Sequence, residues 1–502
     1  MNKLLKNTLY LTTKLLLTTI ITLCSIRFLL QSLGAEDYGL LNLIAGTISL
    51  LSFLNGAMAI STQRNITYSF NSHEQVKIVF SNAILIHAVL ATVLVLLCLI
   101  IKPLLFQFVL NIPLGKVEQA GYLYWSLLVA IFFSILSVPN DAMITANEEF
   151  GVATVIGVFD SVLKLLIAFT LTLIEKEHLL YYSILLSISS TLIYICKFYY
   201  CKFSYESAVF LWQGVNKYQL SKLTGFAGWN TFGALCGVAR LQGFAILINL
   251  FFTLVTNAAY AISIQVNSKL KEFSLTVTKA FNPQIVKLES KGHREDMLVL
   301  SMKSSKISLY LFALLSIPLV INIEGVFFLW LGKTPDEAII FTKLFFILSA
   351  VNLTTVGLQS AIQAIGKIKY YQMAIGGMLL LTIPVSYCVF SYGFPSYSMM
   401  VVSIVFEVFS CLLRLYFLNK EGGLKVASYC KEITKALIIL IIVYITISSV
   451  FTVCKFALLY SIILSILGSS VFLVILIYLY GIDNYERKYI KEMLKRCIHE
   501  KN

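Results

Sequence analysis

The sequence predicts an all-α, polytopic membrane protein, and three observations carry that prediction. Of 502 residues, 58% are hydrophobic and only 13% are charged, where ordinary soluble domains are about 25% charged. Mean hydropathy is +0.85. The apolar residues fall in runs of about 20 to 26, which at ~1.5 Å per residue cross ~30 Å of hydrocarbon as helices. The runs also lack the alternation of lipid-facing and lumen-facing positions that a barrel strand needs.

About fourteen spans follow from these runs: 8–30, 38–60, 77–101, 120–143, 151–174, 179–200, 223–250, 255–282, 306–330, 338–362, 370–391, 395–418, 433–452 and 456–480. The first begins like a signal peptide, with Lys3 and Lys6 before an apolar core. Its apolar stretch is too long for one, however, and no small-residue cleavage site follows, so it is expected to remain as a helix. Between the first two spans, "GAEDYG" (34–39) predicts a short polar turn carrying two acids. After the sixth span, "CKFSYESAVFLWQGVNKYQLSK" sets Phe210, Leu211 and Trp212 among polar residues, the pattern of an interfacial amphipathic linker.

The two halves match faintly at a shift of roughly 220 residues. "LNLIAGTISLLSFLNGAMAISTQRNITYSFNSHEQVK" runs from a span into a polar loop, and so does "AYAISIQVNSKLKEFSLTVTKAFNPQIVKLESKGHRED". Parallel six-helix repeats about an axis along the membrane normal are a transporter layout. The expected organisation is therefore an N-terminal lobe (1–200), an interfacial linker (201–222), a C-terminal lobe (223–420), two extra transmembrane helices (421–480) and a basic cytoplasmic tail (481–502). No connection is long enough to hold an extramembrane domain, so the function is expected inside the bilayer.

The net charge of +14 is read as topology and not as nucleic-acid binding. With the amino terminus inside, the inside segments hold most of the 39 Lys and Arg, in clusters at 197–222, 287–306, 414–435 and the tail. The outside loops hold Lys102, Lys116, Lys176, Lys333 and Lys455. This asymmetry places both termini in the cytoplasm. The ten cysteines are scattered, with only Cys454 near the outer surface and no C-x-x-C, so neither a disulfide framework nor a metal site is implied.

Arg27 ahead of Leu29 and Leu30, followed by the turn residues Leu33, Gly34, Tyr38 and Gly39, resembles the start of the polysaccharide transporter family. These are the Wzx-like O-antigen flippases of the multidrug/oligosaccharidyl-lipid/polysaccharide (MOP, MATE-like) superfamily. "GAMAISTQRNITYSF" is similar to that family's small-residue second span and basic loop, and "NEEFGVATVIGVFDSVLKLL" to its fourth-to-fifth helix turn. The resemblance implies a V-shaped bundle of two lobes working by alternating access. The implied cargo is a polyprenyl-diphosphate-linked oligosaccharide (an O-antigen, capsule or exopolysaccharide unit), moved from the cytoplasmic to the outer leaflet of a bacterial inner membrane. Membrane lipids and other polysaccharide assembly proteins would be the partners.

Ionisable side chains at bilayer depth mark candidate sites, because each is costly unless it faces a cavity or a partner. Gln265, Lys269, Glu272, Thr276 and Lys279 fall within roughly 80° on a helical wheel, a stripe too polar to face lipid. Arg240 lies about 15 Å from the outer end of its span, with Gly233 and Gly237 on its face to admit a close neighbour. Lys14 heads a stripe with Thr18, Thr22 and Ser25, from which Arg27 projects away. Arg27 either snorkels to the outer headgroups or offers its planar fork of donors to phosphate. The expected cavity cations for the diphosphate are Arg240, Lys269, Lys14, Arg27 and Lys279, with Arg240 and Lys269 central. Glu272, Glu407, Asp160 and Lys164 are candidates for ion coupling or charge pairing. Asp160 and Lys164 are spaced i,i+4 and Lys269 and Glu272 i,i+3, whereas Glu407 has no evident partner in sequence. Asp141, after Pro139, reads as a kinked helix terminus.

No catalytic residue, metal or cofactor is expected, and the candidate coupling ion is sodium or a proton. A MATE-type multidrug or cation antiporter is the nearest alternative. Such exporters usually rely on carboxylates for cationic drugs and ions, and twelve helices suffice for them. An integral-membrane polysaccharide polymerase is the other class, but it needs a sizeable outer loop, and the largest here, 102–119, holds no carboxylate pair or histidine cluster. Phosphate-binding glycine loops, HExxH and nucleophile-elbow motifs are absent.

Overall fold

The computed structural model describes residues 3–49, 58, 62–63, 65–66, 69–70, 72–147, 149–175, 177–212, 228–453 and 458–481. Among them every regular element is helical. The long helices are α1 (Lys3–Ser49), α2 (His73–Leu104), α3 (Val117–Ala146), α4 (Phe150–Thr170), α5 (His178–Ser204), α6 (Gly228–Phe251), α7 (Leu254–Ser290) and α8 (Arg294–Ile321). They continue with α9 (Ile323–Leu331), α10 (Ala338–Leu353), α11 (Val356–Ile365), α12 (Lys369–Ser391), α13 (Ser398–Gly422), α14 (Val426–Val453) and α15 (Leu458–Leu476). Eleven helices among the described residues are long and apolar enough to cross a membrane, or up to twelve if the bent pair α10–α11 is one span. The chain is a multi-pass, all-helical membrane protein.

Two local differences separate that count from the fourteen expected spans. The first predicted span and the described part of the second, to Ser49, lie in one element, α1, in which Gly34 alone leaves helical geometry at φ 72° and ψ 173°. The predicted six-residue turn is condensed into one residue in the left-handed half of backbone space, which glycine enters without Cβ strain. The second difference is α7, which contains the predicted span 255–282 but is too polar to count among the eleven. The linker beyond residue 212 and the basic tail beyond 481 lie outside the described residues, as do Cys454 and Lys455.

The chain divides into two compact units: Met1–Ile262, Pro335–Ala338 and Gln372–Val402 in the first, and Ser263–Thr334, Ile339–Tyr371 and Ser403–Asn502 in the second.

In the first unit, the amino-terminal stretch of α1 runs beside α4. Tyr10 covers Gly151, whose missing Cβ would sit 3.3 Å from the ring, and the Thr154 hydroxyl donates to the Tyr10 carbonyl at 3.1 Å. Farther along, Phe28 meets Phe169 edge-on at 5.5 Å. The α3 helix is held by Tyr124, which donates to the Cys98 carbonyl at 2.7 Å, and by Ser187 of α5, which donates to the Ser126 carbonyl at 2.8 Å. At the α3–α4 turn, Glu149 accepts from the hydroxyls of Tyr200 (2.5 Å) and Tyr205 (2.6 Å). Burial, and then that bond to a carboxylate, pushes the Tyr205 phenol well above its ordinary range. Lys116 bridges Glu36 (3.4 Å) and Asp37, tying the α2–α3 connection to the helical stretch after Gly34. Gly39 sits against the Leu254 carbonyl, where a Cβ has no room.

The second unit is organised around α8, which is mostly buried in its apolar stretch. Its Ala313 and Ile317 pack with Ile439, Val443 and Ile447 of α14 and Leu473 of α15. At the break between α8 and α9, the Asn322 amide donates to Ser465 at 2.6 Å and its carbonyl accepts from Ser461 at 2.5 Å. Side chains of α15 thus satisfy polar groups that lipid cannot.

Candidate functional site

Each sequence-predicted cation has a distinct setting. In the first unit, Lys14 lies across Gly157 of α4. A Cβ there would meet the lysine stem and come 2.9 Å from Nζ, so glycine opens a channel for the ammonium one turn before Asp160. Asp160 pairs with Lys164 at 2.8 Å, as their spacing predicts. Arg27 is exposed beside the buried Ser25 and Ile26.

Arg240, half-buried in α6, shares a helical face with Cys236 and Gly233, four and seven residues before it. That face packs on α12. A Cβ on Gly233 would collide with Gln372, one on Gly376 would come within 2.9 Å of Cys236, and one on Gly243 within 2.8 Å of Ile383. The close neighbour that Gly233 admits is thus a helix. Gly237 has open space beside it.

In the second unit, α7 carries two polar faces. Ser263, Asn267, Ser274 and Thr278 are buried. The Thr342 hydroxyl lies 3.0 Å from Ser263, Ser349 donates to Asn267 at 2.7 Å, and Thr278 lies 3.0 Å from Ser308. This small-residue polar face bonds α7 to α8 and α10. The predicted stripe projects about 170° away from it, so Gln265, Lys269 and Glu272 remain half-buried. Lys269 and Glu272 approach to 3.9 Å with side chains 24% and 45% exposed, a loose pair. The side chains of Thr276 and Lys279 lie outside the described residues.

Glu407, a charge-pairing candidate with no evident partner in sequence, lies in an enclosed polar cluster among the described residues. Glu407 pairs with Arg414 on the same helix, Nη1 to Oε1 at 2.9 Å, both buried. The same Arg414 nitrogen donates to Thr355 at 2.9 Å, and Asn352 donates to Glu407 at 2.7 Å. Asn352 and Thr355 flank the α10–α11 break, where the axis bends by 41°. Backbone groups freed there find partners: the Thr354 carbonyl accepts from Tyr429 of α14, and the Gly357 amide donates to Ser305 of α8 at 2.9 Å. A broken helix at membrane depth needs this re-satisfaction. The available signal was the seven-residue spacing of Glu407 and Arg414, which puts both on one helical face. The inside-positive count had instead placed Arg414 in a cytoplasmic segment, and here it is corrected to a buried helix interior. Asp141 pairs with Lys197 at 2.8 Å inside the continuous helix α3.

The fold is similar to that of several solved membrane transporters. Over 94% of this chain and 99% of the other, the structure matches a lipid II flippase, MurJ, in an inward closed conformation (TM-score 0.70, 14% identity). An inward-facing multidrug resistance MATE family transporter of the MOP superfamily matches over 82% of this chain and 96% of its own (TM-score 0.67, 12% identity). The MATE multidrug transporter DinF-BH matches over 84% of this chain and 95% of its own (TM-score 0.64, 13% identity). At these identities the likeness is one of fold. No family model matches the sequence, and no curated protein is similar to it by sequence.

Proposed function

We propose that the chain is a flippase for a polyprenyl-diphosphate-linked oligosaccharide, working by alternating access between two six-helix lobes (1–200 and 223–420) in a bacterial inner membrane with both termini cytoplasmic. The observation that carries this reading is coverage. The lipid II flippase fold accounts for 94% of the chain, whereas the MATE folds leave roughly a sixth of it unmatched, a share the size of the segment beyond residue 421. The deep cations add chemical support. A diphosphate entering a low-dielectric slab loses its hydration, and fixed Lys and Arg donors replace it at little reorganisation cost. Arg240 and Lys269 take the central role in this reading, with Lys14, Arg27 and Lys279 along the path and sodium or a proton as the coupling ion.

The MATE-type antiporter is retained as a second reading because its TM-score, 0.67 against 0.70, is nearly as high. Complementation separates the two. In a strain lacking its own surface-polysaccharide flippase, the chain is expected to restore polymer, and Arg240→Ala and Lys269→Ala to lose it at normal protein levels. Normal polymer with both variants would remove the cations from the mechanism. Export of a cationic dye without any restored polymer would replace the flippase reading with the antiporter.

A further inference from the structure

A lateral groove in the second unit has the dimensions and chemistry of a lipid site. It is a cavity of about 410 Å³ between α8, α10 and α14, within the range of ligand pockets. Phe312, Ile317, Phe346, Leu440 and Ile441 supply much of its apolar wall. Ile347, Ile441 and Tyr444 of the lining are 50%, 56% and 42% exposed, so the groove opens sideways, toward the bilayer.

Along α8 the lining runs from Leu309 to Val320, about 16 Å at the helical rise. That is close to half of a ~30 Å hydrocarbon core, the depth of one leaflet. Among the described lining residues the one charge is Lys343. It sits about 8 Å inside the start of α10 and is the lining residue of that helix nearest the 332–337 loop. Among the described residues Lys343 has no hydrogen-bond or ion-pair partner. An ammonium on a flexible stem at that depth, above an apolar slot one leaflet long, complements one amphiphile: a phosphate at the headgroup level with an acyl chain below it.

We propose that this groove binds an anionic phospholipid of the leaflet on the side of the 332–337 loop, with one acyl chain between α8, α10 and α14 and its phosphate on Lys343. The occupant is a bilayer lipid and not the transported cargo, since the slot is one leaflet long and lies wholly within the second unit. The site therefore stands whether or not the flippase reading does.

The test uses the full chain, delipidated in detergent, with lipid retention followed by native mass spectrometry and thermal unfolding. Phosphatidylglycerol is expected to bind and raise Tm, and phosphatidylcholine to do so more weakly. Lys343→Ala should weaken phosphatidylglycerol binding about tenfold, as loss of a charge-assisted hydrogen bond does. Lys343→Arg should retain it. Ala350→Phe, which fills the deep end of the slot, should weaken both lipids with Lys343 intact. The proposal is overturned if Lys343→Ala and Ala350→Phe fold and bind phosphatidylglycerol as the parent does. Equal binding of the two lipids would overturn it too, as would inorganic phosphate alone reproducing the full stabilisation, because no chain would then be in the groove.

Discussion

Arg414→Met is expected to destabilise the second unit strongly. The Arg414 and Glu407 side chains are 5% and 2% exposed, and one guanidinium nitrogen serves both Glu407 and Thr355 at 2.9 Å. Replacing the arginine leaves the carboxylate with the Asn352 amide as its remaining donor among the bonds described. Removing one partner of a buried pair typically costs about 3 to 5 kcal/mol, because the survivor stays buried and uncompensated. Removing both together is often close to neutral. Unfolding of the purified chain in mixed micelles, followed by helical signal against denaturant, should therefore show Arg414→Met and Glu407→Leu each less stable by about 3 kcal/mol or more. The double variant should be less damaged than their sum by at least ~2 kcal/mol. Additive losses, or an Arg414→Met variant within about 1 kcal/mol of the parent, would refute the assignment of this pair as a coupled clamp on the α10–α11 break.

Glycine substitutions should sort by what the new Cβ meets. Gly39→Ala and Gly357→Ala drive a methyl into the backbone carbonyls of Leu254 and Ser301 and should each cost about 1 to 3 kcal/mol in thermal unfolding, whereas Gly157→Ala displaces only the end of a lysine and should cost less than either. Lys116→Ala removes two partly exposed ion pairs and should change stability by less than about 1 kcal/mol, read in the same assay.

The helical membrane fold was legible in sequence because hydrocarbon permits so few backbone solutions: a run of apolar residues of the right length must be a helix. Breaks within helices were less legible. Nothing in "SAVNLTTVGLQSAI" announces a bend, since threonine and asparagine occur in straight helices too. What allows the break is a set of partners from other helices, Tyr429, Ser305 and Arg414, far away in sequence. Pairings at helical spacing were visible for Asp160 with Lys164 and for Lys269 with Glu272. The Glu407–Arg414 pair, two turns apart, was obscured because charge counting treated Arg414 as a loop residue. The α7 stripe was visible as a polar face, but the opposite face of serine, asparagine and threonine went unread, because small hydroxyl residues scarcely perturb an apolar pattern.

The two faces of α7 constrain how the chain enters the membrane. A charged residue at the centre of an inserting helix costs about 2.5 to 3.5 kcal/mol at the translocon, and α7 carries Lys269, Lys271 and Glu272 near its middle. It cannot partition into lipid as an independent segment. It is expected to insert together with α8 and α10, whose side chains bond its serine and asparagine face, and a nascent chain truncated just after α7 should leave that helix in water.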